Sequence, residues 1–139
     1  VFNFDTRQNH SANNSKSNLL YQGILKGSSH VVWQGMVEVQ KETRGVDGFQ
    51  AHRALLLDDG VHCVSLPGLE ISTDDVRCSH AVAAGSLDEE QIFYLKARGI
   101  PTDKAEEMIL DGYFESALER LPSSEFKKLS RETLLLKTD

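Results

Sequence analysis

The stretch Pro67–Leu95, PGLEISTDDVRCSHAVAAGSLDEEQIFYL, constrains the fold more than any other, because its residue pattern changes character three times. An apolar alternation at Leu69 and Ile71 gives way to adjacent carboxylates, Asp74 and Asp75. Cys78-Ser79-His80 follows, and then a helix start at Ser86. A strand period of two before this stretch and a helix period of 3.6 after it cannot belong to one regular element. The chain therefore divides into a β part, residues 1–85, and a helical part, residues 86–139, with the groups best suited to chemistry at the junction.

Upstream of the junction lie short β-prone runs: Leu19–Leu25, Val31–Val39, Ala54–Leu57, Val61–Val64, Leu69–Ile71 and Val76–Ala84. Clusters of Gly, Asp and Ser separate them and no helix intervenes. Such spacing fits a sandwich, a barrel or a stacked solenoid, and pattern alone does not choose. Gln22-Gly23-Ile24-Leu25 returns twelve residues later as Gln34-Gly35-Met36-Val37, a weak internal repeat. The first eighteen residues alternate briefly at Val1, Phe2 and Phe4 and then turn polar, which predicts a loop carrying His10 as an exposed turn histidine. If the strands are rungs of a solenoid, an end rung exposes unpaired backbone groups and an apolar face, and the chain should self-associate.

Downstream, Ser86-Leu87-Asp88-Glu89 fits a capping box, predicting a helix over Leu87–Arg98 that ends at Gly99. A second helix opens at Pro101 or Thr102 and ends near Pro122. Its apolar positions Ala105, Met108, Ile109, Tyr113, Ala117, Leu118 and Leu121 fall on one stripe. A third, capped by Ser123 or Ser124, carries Phe126, Leu129, Thr133, Leu134 and Leu136 on one side and Lys127, Lys128 and Arg131 on the other. Three amphipathic helices must bury their stripes against one another, against the strands or against a partner.

Composition narrows the function. With 139 residues, 40% of them apolar, the chain can bury a core. A net charge of −6 without a basic face argues against nucleic acid. No apolar run is long enough for a membrane span. Two cysteines, Cys63 and Cys78, make no disulfide framework and suit a reducing compartment. The chain opens on Val1 within a polar stretch, which reads as an excised fragment from which targeting information could be missing.

On an extended strand Cys78 and His80 share a face, presenting a thiol and an imidazole as a soft-metal or cluster ligand pair. Two ligands are half a site. His62-Cys63 could complete a Cys2His2 set, but adjacent strand residues face opposite ways. The plainer alternative is a buried structural Cys63 and a hydrogen-bonded His80 at a strand end. Asp74-Asp75 suits a turn that caps backbone N–H groups better than an acid/base pair. Nucleophile-elbow, phosphate-loop and zinc-protease motifs are missing, and the histidines are scattered singly.

The run LEISTDDVRCSHAVAAGSLDEEQIFYLKARGI resembles the C-terminal signature of the SufB/SufD family of iron-sulfur cluster assembly proteins, nearer its SufD branch. Weaker echoes extend upstream, in Asn18–Leu25, Trp33-Gln34-Gly35, Gln50 and Leu55-Leu56-Leu57. The resemblance implies a mainly β plus α fold: the C-terminal rungs of a right-handed parallel β-helix, then a small three-helix domain. It implies a scaffold rather than an enzyme, paired with a SufB-type subunit or with itself and docking a SufC-type ATPase. Phe93, Tyr94, Arg98, Met108, Tyr113 and Phe114 would meet the ATPase. Cys78 and His80 would lie toward the paired subunit, with no intrinsic cofactor but a transient cluster or iron shared across the boundary. Partners would include neither nucleic acid nor membrane, and the compartment would be cytoplasm, or plastid stroma if a transit peptide is missing. The sequence departs from the family pattern at Ala81 and Ala83, where Gly and Thr are usual, and at Asn13, where Pro is usual. The rivals are a β-solenoid acyltransferase or carbohydrate-active enzyme, with Asp74, Asp75 and His80 as its acid/base set, and a metal-free structural adaptor.

Overall fold

The computed structural model describes residues 1–135, in two compact units that meet at Ser86 and Leu87. The first unit holds six strands: β1 (Phe2–His10), β2 (Lys16–Leu25), β3 (His30–Val39), β4 (Val46–Leu56), β5 (His62–Ile71) and β6 (Val76–Ser86). They form two three-stranded sheets, ordered β1-β3-β5 and β2-β4-β6, and every pairing is parallel. Each strand therefore crosses to the other sheet and pairs with the strand two before it. Among the described residues the strands close no barrel, since each sheet has two edges.

The register repeats about every 30 residues: Phe2 lies against Val31, and Val31 against Cys63. The repeat of twelve residues seen in the sequence is not this period, for Gln22-Gly23 lies in one sheet and Gln34-Gly35 in the other. Corners stack as the strands do. Asn14 N–H donates to Arg44 O at 2.7 Å and Gly45 N–H to Asp75 O at 2.9 Å, while on the other side Leu57 N–H donates to Leu25 O at 2.9 Å. Val31, Trp33, Val37 and Val39 of β3 are buried between the sheets at alternate positions, with Val46 and Ala54 of β4 opposite.

Two expectations are corrected here. The polar segment after Phe4 is strand, not loop, to His10. Its inward amide Gln8 donates from Nε2 to Ser17 Oγ at 2.6 Å and to Phe49 O at 3.1 Å, while Gln8 Oε1 is buried with no partner among the described residues. The runs Val61–Val64 and Leu69–Ile71 belong, from His62 on, to one strand, β5, passing through Pro67. A proline is tolerated there because β5 is an edge strand and need not donate on both sides.

The second unit contains α1 (Glu89–Ala97), α2 (Thr102–Leu118) and α3 (Ser124–Leu135). Ser86 does not cap α1. It remains in β6, paired with Leu56, and Asp88 takes the cap two residues later by accepting from Glu90 N–H at 2.9 Å. The chain reverses at Gly99, whose φ is +85°, and Ser123 Oγ accepts from Phe126 N–H at the start of α3. Ala105 and Leu118 of the α2 stripe are buried, whereas Met108, Phe126 and Leu129 are exposed. Leu136, assigned above to the third helix, lies outside the described residues.

Candidate functional site

Cys78 and His80 sit on β6, the last strand of its sheet, at positions paired with Gly48 and Gln50 of β4. Gln50 is fully buried, so this row faces inward, and strand alternation gives Cys78 and His80 the same facing. Cys78 is half-buried against Val37, Val39 and Val46. His80, one step along, is exposed because no further strand of the sheet covers β6. Ala81 and Ala83 leave the strand unbroken as far as Ser86.

Gly48 is what lets the thiol enter. A Cβ at Gly48 would lie 3.1 Å from Val37 Cγ1, 3.2 Å from Cys78 Sγ and 3.3 Å from His10 Nε2. The missing side chain makes a slot that the thiol and the His10 imidazole share. His10 is thus not an exposed turn residue. It is 4% exposed and held by Ser15 Oγ on Nδ1 at 2.7 Å and by Ser17 Oγ on Nε2 at 2.8 Å. The signal for it was the polar alternation Thr6, Gln8, His10, a period of two without apolar residues.

A second polar row crosses the interior farther along. A 2.6 Å hydrogen bond joins Ser65 Oγ to Nδ1 of buried His52. Burial pushes the Cys63 thiol up, and the neighbouring Ser65 hydroxyl offsets part of that; burial holds His52 below the ordinary histidine range. Cys63 pairs with Val31 on the inward row, while His62 lies beside His30 on the outer face. Both cysteines are free, and among the described residues a Cys2His2 set does not form.

Asp74 and Asp75 are exposed in the turn between β5 and β6. Among the described residues no three His, Cys, Asp or Glu side chains come together to hold a metal, so Cys78 and His80 offer one thiol and one imidazole and no further donor. The final layer beside them is apolar and open, with Leu69, Ile71 and Val82 all exposed.

In the helical unit, Gln91, Leu95, Met108, Ile109, Gly112 and Tyr113 line an open groove of about 440 Å³ between α1 and α2. Of the six proposed docking residues, Met108 and Tyr113 are in its wall. Phe93 is 74% exposed, and Tyr94 is exposed under the Arg98 guanidinium at 4.4 Å. Phe114 is half-buried edge-on to Tyr113, with ring centroids 6.2 Å apart.

Fold and site together define a parallel-stranded unit with a thiol and an imidazole on its terminal strand, followed by a helical unit with an apolar groove. The family profile for the SUF system FeS cluster assembly SufBD core domain matches residues 1–113. An iron-sulfur cluster assembly SufBD family protein of Mycobacterium leprae is 39% identical over 120 residues, covering 81% of this chain and 31% of that protein. The iron-sulfur cluster assembly protein SufD of Escherichia coli is 32% identical over 126 residues, 89% of this chain and 30% of SufD. SufD of Bacillus subtilis is 30% identical over 126 residues, 91% and 29%. The chain belongs to the SufBD family of iron-sulfur cluster assembly proteins, and it spans about a third of the length of these three relatives.

Proposed function

We propose that the chain is the C-terminal part of a SufD-like assembly component, its strands the last rungs of a right-handed parallel β-helix and its helices a docking module. In this reading it turns over no substrate of its own. Its terminal strand supplies Cys78 and His80 to an iron-sulfur cluster in the course of assembly, and a SufB-type subunit or a second copy supplies the remaining donors. The cluster is cargo and leaves. The observation that carries this is the shared inward row of Cys78 and His80 on the last strand, beside the uncovered Leu69, Ile71 and Val82. Two donors are too few to retain iron alone, but they are one side of a site closed by another chain. An apolar layer around them would be covered by that chain.

The groove between α1 and α2, with Met108 and Tyr113 in its wall and Phe93 and Tyr94 beside it, is the surface proposed for a SufC-type ATPase. A soluble compartment, cytoplasm or plastid stroma, belongs to the same reading; among the described residues no helix is long and apolar enough to cross a membrane. The test separates the two surfaces. Cys78→Ala with His80→Ala should reduce cluster yield in reconstitution while ATPase capture stays normal. Met108→Lys with Tyr113→Ala should do the reverse. Full cluster yield from the first variant contradicts the assignment.

A further inference from the structure

His30 opens β3 and His62 opens β5, and the parallel register sets them directly against each other. Val31 begins the buried row of β3, so alternation turns His30 outward, and His62 with it. Both are exposed. Their rings stack with centroids 4.5 Å apart and planes inclined by 29°. Among the described residues neither imidazole takes part in a hydrogen bond or ion pair.

Two neighbouring imidazoles with free nitrogens are a bidentate donor for late divalent ions, whose affinity for nitrogen rises through nickel to copper. Metal–nitrogen bonds near the usual zinc value place two such nitrogens about 3.3 Å apart on a tetrahedral ion. Both side chains are exposed and have the torsional freedom to turn their rings out of the stack, so that one nitrogen of each reaches a common ion. The paired backbone fixes the two Cα positions beforehand, so the ion has only the side chains left to order. No third His, Cys, Asp or Glu joins them among the described residues, which leaves the other coordination positions to water.

We infer that His30 and His62 form a two-histidine site for a late divalent transition ion on the outer face of the β1-β3-β5 sheet, separate from Cys78 and His80. The test is calorimetric titration of Ni²⁺ into this chain carrying Cys78→Ser and His80→Gln. His10 and His52 are buried, so the background leaves His30 and His62 as the exposed imidazoles. One ion per chain should bind, and either His30→Gln or His62→Gln should weaken it roughly tenfold or more by removing the chelate. Unchanged affinity in both single variants overturns the site. Paramagnetic broadening by Ni²⁺ in the unsubstituted fold gives an independent reading. Early loss of the His30 and His62 ring signals supports the pair, and early loss of other histidines in their place contradicts it.

Discussion

Gly35 shows how a single residue decides the packing of the interior. A Cβ there would collide with the Trp33 ring and with Gln50 Oε1, both fully buried. Gly23, in contrast, has nothing within 4 Å of its added Cβ. Gly35→Ala should therefore destabilise the strand unit by about 1–3 kcal/mol, the usual cost of overpacking, while Gly23→Ala leaves the melting temperature nearly unchanged. Thermal melting of the two variants side by side checks this. His52 gives a pH dependence with a definite sign. Burial depresses its folded-state pKa, so the unfolded chain binds the proton more readily. That contribution to stability is complete above the ordinary histidine range and is lost as pH falls through it toward the folded value. Denaturant midpoints should fall more between pH 7 and pH 5 for the native chain than for His52→Gln. Equal falls would mean that His52 titrates as it does in the unfolded state.

Among the elements, α1 tests how the chain passes from sheet to helix. Because β6 holds Ser86 in its ladder, the cap falls to Asp88. Asp88→Ala should lower stability of the helical unit by about 1 kcal/mol, and Ser86→Ala should not; helical circular dichroism through a melt measures both. The same competition explains what was legible beforehand. β2, β3 and β6 could be read because apolar residues recur along them, and the Cys78–His80 row followed from the strand period. β1 and β4 before Ala54 were not legible, since most of their inward positions carry no apolar side chain: Thr6, Gln8 and His10 in β1, and Gly48, Gln50 and His52 after Val46 in β4. Neighbouring strands offset part of the cost of burying the polar ones, Ser17 Oγ and Gly68 O accepting from the amides of Gln8 and Gln50, although Oε1 of both stays without a partner among the described residues. The slot at Gly48 was equally hidden: its meaning depends on His10 and Cys78, distant in sequence and adjacent through the register.

At the scale of the whole molecule, the winding of the strands leaves edges that no residue of the described chain pairs. β1 and β2 are edge strands at one end, with Phe2 and Phe4 exposed, and β5 and β6 are edge strands at the other. Unpaired parallel edges with apolar neighbours favour association. Sedimentation should show self-association that weakens when Leu69 and Val82 are replaced by Lys; an unchanged, purely monomeric profile would contradict this. The proposed assembly role rests on the same end of the strand unit, where Cys78 and His80 share their row. Its most direct test is anaerobic titration with iron and sulfide, followed by absorbance, with and without a SufB-type partner. The predicted result is cluster absorbance that requires both chains and is lost with Cys78→Ala and His80→Ala. Equal absorbance from the substituted pair would contradict it.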